Sequence, residues 1–244
     1  MSQTQPCPLA LYGLSLQLGG KPVLQQIAFE LAAGDFVALV GPNGSGKSSL
    51  LRCIAGLHPL APGRVQICGH DVSLAAAAAR AQLGYAVDPA ALPALLSGRE
   101  CLQLFAHARG LAAVPAESLQ LAEALGFSRW LDEPVEVYSL GTRQKLAVLL
   151  GLLGQPPLLL LDEPLNGLDP PSAWALKQHL VELAERGSAI LLATHAIELA
   201  ERHVNRALLL VDGELRKQWT AADLQRLRAN PQQSLESEMV AAMG

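Results

Sequence analysis

The 244-residue sequence has no excess of basic charge: 18 Lys and Arg stand against 22 Asp and Glu, for a net charge of −4. That balance disfavours binding to nucleic acid through a broad positive surface. Cysteine is sparse. Cys7, Cys53, Cys68 and Cys101 lie far apart and form no C-x-x-C pair. This argues against a disulfide framework or a structural zinc site, and for reduced thiols in a cytosolic protein. No apolar run reaches the roughly 20 residues that cross a bilayer. The most hydrophobic stretch, 146–161, is broken by Gln155-Pro156-Pro157. The opening Ser2-Gln3-Thr4-Gln5-Pro6 is polar and has no basic start, so the sequence predicts neither a secretory leader nor a membrane span. Internal repeats and heptad runs are also missing.

What remains is a chain with 50% hydrophobic residues, enough to build a sizeable core in one large α/β domain or in a core with a subdomain. Its most informative segment is Gly41-Pro42-Asn43-Gly44-Ser45-Gly46-Lys47-Ser48-Ser49, directly after the apolar run 36–40. Gly41, Gly46, Lys47 and Ser48 satisfy the phosphate-loop pattern G-x-x-x-x-G-K-[ST]. Small residues there let successive N–H groups converge on one anion. Lys47 can reach the β- and γ-phosphates of a nucleotide, and the Ser48 hydroxyl can take a place on Mg²⁺. Residues 49–55 read as a helix whose positive end faces the phosphates.

Around this loop the sequence predicts an α/β fold. Short strands and turns fill 9–40, with turn signals at 19–22 and 33–35. A strand follows at 64–68. Helices are expected over 74–83, from the capping box at Ser97 and Glu100 to Arg109, and over 118–125. This helical stretch, about residues 90–150, reads as a subdomain inserted into a sheet-based core. Strands resume at 158–161 and 189–193 as continuous apolar runs, the pattern of strands buried on both faces. A helix spans 171–186 between them. Asp212-Gly213 marks a hairpin, Thr220 starts a last short helix, and the tail beyond Pro231 is expected to be loosely ordered.

Two further sites fall at strand ends. Asp162 and Glu163 close the 158–161 run, where α/β sheets bind ligands. Asp162 suits Mg²⁺, and Glu163 suits the polarisation of an attacking water. His195 closes the 189–193 run and is expected on the same sheet edge, within reach of a γ-phosphate or that water.

These segments together resemble the ATP-binding subunit of an ABC transporter, from about residue 9 to residue 218. Residues 41–49 match the family's Walker A loop and 158–163 its Walker B segment. Asn166-Gly167-Leu168-Asp169 matches its D-loop, and His195 its switch histidine. Tyr138-Ser139-Leu140-Gly141-Thr142 stands where the signature Leu-Ser-Gly-Gly-Gln belongs. The resemblance implies a P-loop NTPase core with a mixed, mainly parallel sheet, N-terminal antiparallel strands and the helical subdomain, all in a single cassette over 1–244. A short C-terminal helix and tail would occupy 220–244. It also implies ATP and Mg²⁺ as ligands. Two cassettes, identical or different, would clamp ATP between the P-loop of one and Ser139 and Gly141 of the other. A separate membrane permease would be driven by the cycle, with the cassette in the cytoplasm on the inner face of the membrane. An export-type permease is the expectation, with no nucleic acid partner.

The sequence departs from the family pattern in several places. Leu140 replaces the first signature glycine and Thr142 the glutamine. Asp88 aligns with the Q-loop glutamine; it reads either as a metal contact or as a solvated loop acid ahead of Pro89. The family's adenine-stacking aromatic aligns near Leu18, while Tyr12 is too early and is expected to pack in the first strand. Alternatives to an energised transporter subunit are a cassette that binds ATP but hydrolyses it poorly, and a soluble ABC ATPase outside transport.

Overall fold

A computed structural model of the chain describes residues 6–195, 203–230 and 233–243. Ten strands form two sheets among the described residues. The smaller is antiparallel, in the order β2-β1-β4-β5: β1 (Leu9–Leu18), β2 (Lys21–Leu31), β4 (Val65–Ile67) and β5 (His70–Asp71). The larger runs β10-β9-β3-β8-β7-β6. It comprises β3 (Phe36–Val40), β6 (Leu83–Tyr85), β7 (Leu158–Asp162), β8 (Ala189–Ala193), β9 (Arg206–Val211) and β10 (Glu214–Trp219). All its pairings are parallel except that of β10 with β9.

The larger sheet is the middle layer of the molecule. Successive residues of one strand serve opposite cores, as the period of two requires. Phe36, Ala38, Val40, Leu159 and Leu161 join the cluster on the helical side. Val37, Leu39, Leu158 and Leu160 join the cluster shared with the small sheet and α1 (Lys47–Ile54). The apolar runs are therefore continuous because both faces are covered.

Short α2 (Ala76–Ala81) leads into β6. Three helices then follow: α3 (Gly98–Ala108), α4 (Ala116–Ala124) and α5 (Leu140–Leu152). Ser97 and Glu100 form the expected reciprocal capping box at the start of α3. Asp169 caps α6 (Pro170–Glu185), whose first residue is a proline suited to that position. Thr220 and Asp223 form a second capping box on α7 (Ala221–Ala229).

Several expectations are corrected. The tail is ordered into α8 (Leu235–Met243), because Leu235 and Met239 bury against the core and Glu238 pairs with Lys217 on β10. Tyr12 does lie in β1, yet it is 44% exposed. The cause is a register break: Gly13 takes φ +60° beside it, and the Tyr12 N–H donates to Arg64 O. β5 and β6 were not anticipated, since two or three residues carry no readable period.

Candidate functional site

Gly41 begins the loop with φ +152°, and a side chain there would stand 2.1 Å from the carbonyl oxygen of Leu210. Gly46 takes φ +106° and is hemmed in by Val23 O and Leu24, each 3.0 Å from where a Cβ would lie. Only glycine fits both positions. The loop turns through Ser45 N–H to Pro42 O, then runs into α1 at Lys47. Helix α1 has no side-chain N-cap and no acid in its first turn, so its leading N–H groups face the loop without a competing anion.

Lys47 is 8% exposed, and its Nζ donates to Gly41 O at 2.8 Å and Pro42 O at 3.1 Å. Burial pushes the ammonium below its ordinary range, while the nearby carboxylates of Glu163 and Asp162 pull it back up. The Ser45 hydroxyl oxygen is buried without a hydrogen-bond partner among the described residues. A loop with a folded-back cation and an unused hydroxyl has capacity left for an anion.

β7 delivers Asp162 to the same place. A cavity of about 260 Å³ is lined by Asn43, Gly44, Gly46, Lys47, Ser48 and Ser49 on one side and by Asp162 and Glu163 on the other. Ser48 and Asp162 offer hard oxygen donors, the set that Mg²⁺ prefers. Glu163 is held at φ +46°, an uncommon conformation for a side chain of its size. Its N–H donates to Ala193 O at 2.9 Å, and its carbonyl accepts from Asn166 N–H at 3.1 Å. This bend aims the carboxylate at His195, whose Nδ1 lies 2.9 Å from Glu163 Oε1. The pair joins the ends of adjacent strands, because Asp162 and Ala193 are register partners.

Ser139, Gly141 and Asp88 do not line this cavity. Ser139 is exposed and caps α5, accepting from Thr142 N–H. Gly141 packs on the D-loop: a Cβ there would lie 2.3 Å from Gly167 O. Asp88 Oδ1 accepts from Ala90 N–H at 2.9 Å and caps the turn at Pro89–Ala91. Asp88 is thus the exposed cap of that turn.

The matched family model, described as ABC transporter, covers residues 24–166. The chain belongs to the ABC transporter ATPase family. This cassette is 36% identical over 210 residues to the ABC transporter ATP-binding protein YdbJ of Bacillus subtilis, covering 85% of the chain and 68% of the relative. It is 33% identical over 212 residues to the Nod factor export ATP-binding protein I of Sinorhizobium fredii, covering 84% and 60%. Among solved structures, the ATP-binding subunit of an ABC transporter superimposes with a TM-score of 0.87 at 31% identity, over 97% of this chain and 99% of the other. A dimeric post-hydrolysis form of the MJ0796 cassette bound to ADP and Pi gives 0.77 at 25%, over 87% and 98%. The cassette is therefore an ATP-binding subunit and an ATPase.

Some supporting contacts escaped sequence reasoning. Gly213 N–H donates to Ser45 O at 3.1 Å, and a Cβ on Gly213 would lie 2.3 Å from Val23 O, so the β9–β10 hairpin braces the loop from behind. Lys145 Nζ lies 2.7 Å from Asp169 Oδ2, joining the signature helix to the D-loop. Asp212-Gly213 was legible as a hairpin, but nothing in its sequence points to Ser45.

Proposed function

We propose that this cassette powers an export-type ABC transporter by ATP-driven, head-to-tail dimerisation, with hydrolysis resetting the dimer. The observation that carries the reading is a separation. The P-loop, Asp162 and Glu163 share one cavity, whereas Ser139 sits exposed at the start of α5 and lines none of it. A site whose parts do not meet within one chain is completed by a second. The dimeric MJ0796 cassette supports that arrangement, and the Nod factor export protein supports the direction of transport.

In this reading the triphosphate of ATP lies on the N–H groups of residues 41–49 and the start of α1, with Lys47 swinging from the Gly41 and Pro42 carbonyls onto the β- and γ-phosphates. Ser48 and Asp162 would hold Mg²⁺, which offsets phosphate charge when bound. Asp88 would contact the metal's water through its second carboxylate oxygen. Glu163 accepts a hydrogen bond from the attacking water and takes its proton as the water oxygen bonds to the γ-phosphorus and ADP leaves. His195 fixes the Glu163 carboxylate through Nδ1 and stands at the strand edge that faces the γ-phosphate. Ser139 and the N–H groups around Gly141, from the second cassette, close over that phosphate. Loss of the γ-phosphate removes the anion shared by the two chains.

A membrane permease would convert closing and opening into transport, and would hold the cassette on the cytoplasmic face. Among the described residues no helix is long and apolar enough to cross a membrane. The decisive test is the mass of the Glu163→Gln cassette by sedimentation at saturating ATP with Mg²⁺. A dimer that reverts to monomer when ATP is withdrawn supports the reading; a monomer under all conditions refutes it.

A further inference from the structure

Ser139 Oγ accepts from Thr142 N–H at 3.2 Å and lies 2.9 Å from Thr142 Oγ1. A serine hydroxyl has two lone pairs and one proton. The backbone N–H takes one lone pair. The direction of the second contact decides what remains. Thr142 is 7% exposed, and among the described residues its hydroxyl has Ser139 Oγ as its sole hydrogen-bond partner. If Ser139 donated to Thr142, the Thr142 proton would be left in a buried place with no acceptor, an unfavourable outcome. If Thr142 donates, its buried proton has an acceptor, and the only proton left over is on the exposed Ser139. Ser139 then has no lone pair free, and its own proton must find an acceptor outside the chain.

We infer that Thr142 is a positioning residue, whose hydroxyl turns the exposed Ser139 O–H outward as an obligate donor to the phosphate carried by a facing cassette. The inference rests on the two-cassette reading above. Thr142 stands where the family signature has glutamine, so the serine here is oriented by a threonine hydroxyl instead. Ser139 also opens the 13-residue α5, where the helix N-terminus favours the same anion. The arrangement selects for an acceptor: a phosphate oxygen fits, and a donor group in its place meets a second proton.

The test uses the Glu163→Gln cassette and ATP with Mg²⁺. The ATP concentration at half-dimerisation is read by sedimentation, and ATP binding to the monomer is read separately on dilute protein. Thr142→Val keeps the shape and deletes the hydroxyl. It should raise the half-dimerisation concentration roughly fivefold, the worth of one ordinary hydrogen bond. Monomer affinity should stay unchanged, because Lys47 and the P-loop are untouched. Thr142→Ser should restore dimerisation. With Ser139→Ala already present, Thr142→Val should add nothing, since there is no hydroxyl left to orient. An unchanged midpoint in Thr142→Val overturns the inference. So does an effect of equal size with and without Ser139, which marks a general packing role. If the Glu163→Gln cassette fails to dimerise before any change at Thr142, the two-cassette reading itself fails, and the inference with it.

Discussion

The Glu163 carboxylate and the His195 imidazole hold each other across the ends of two adjacent parallel strands, with Oε1 and Nδ1 2.9 Å apart. The contact needs the left-handed bend at Glu163, φ +46°, which redirects a side chain that an extended strand would place elsewhere. If the two act as one unit, their deletions do not add. Glu163→Gln should lower steady-state phosphate release by about two orders of magnitude or more, with ATP affinity within about twofold. His195→Ala should cost roughly tenfold or more. The double variant should be no slower than Glu163→Gln alone. Independent, multiplicative losses would show that the histidine acts on phosphate without the glutamate.

Lys47 offers a prediction about binding. Its ammonium is nearly buried and rests on two backbone carbonyls, which a phosphate can replace as partners. In the parent cassette, ATP at about 100 times its dissociation constant should add about 2.7 kcal/mol to stability. Lys47→Ala should lose most of that ATP-dependent rise in melting temperature. An undiminished rise would place the triphosphate elsewhere.

The site was unusually legible in the sequence, and the reasons are local. A phosphate loop is made of backbone, so its glycines, lysine and serine are contiguous and their spacing is the geometry. Asp162, Glu163 and His195 were readable because parallel strands end on one edge, and apolar runs announce the strands. Contacts made by residues far apart in the chain were not readable. Nothing in Gly213 reveals that its N–H reaches Ser45, and nothing in Lys145 reveals Asp169. The ordered tail was missed for a similar reason: the Leu235 and Met239 face becomes apolar enough only once it has β10 and α7 to cover.

Gly141 illustrates how a signature residue can serve its own chain. In an exposed helix, alanine in place of glycine gains up to about 1 kcal/mol. Here the new Cβ would meet the backbone oxygen of Gly167 at 2.3 Å, with no flexible side chain to yield. Gly141→Ala should therefore destabilise the cassette by about 1–3 kcal/mol. Thermal unfolding of the nucleotide-free protein checks this. A gain in stability would mean that the D-loop yields freely.

The Lys145–Asp169 pair carries a pH signature. Its hydrogen bond from Lys145, together with those from Ser172, holds the Asp169 carboxyl well below its usual range. A depressed carboxyl stabilises the fold above its unfolded pKa of about 3.9, and the contribution is lost as pH falls through the lower folded value. Asp169 is 51% exposed on its side chain, so solvent screens the pair to about 0.5–1 kcal/mol. Asp169→Asn keeps a competent helix cap and removes only the charge. Urea unfolding should find the variant weaker by that amount at pH 7, with the gap closing below about pH 4. A gap that persists at the lowest pH would assign the loss to the cap.

Leu18 stands at the end of β1, 42% exposed, near the place where the family resemblance leads one to expect an adenine-stacking aromatic. An aliphatic side chain gives apolar contact but no stacking face, while the triphosphate contacts are the same for every nucleotide. The parent cassette should therefore bind ATP and GTP with affinities within about threefold of each other. Leu18→Tyr should strengthen ATP binding by about 1 kcal/mol, near fivefold, by adding a ring face. Competition between the two nucleotides for one fluorescent analogue measures both quantities. Strong preference for ATP in the parent, unaffected at Leu18, would show that another group reads the base. Leu18→Ala then separates shape from stacking: if aliphatic contact alone holds the base, its loss should weaken ATP and GTP equally.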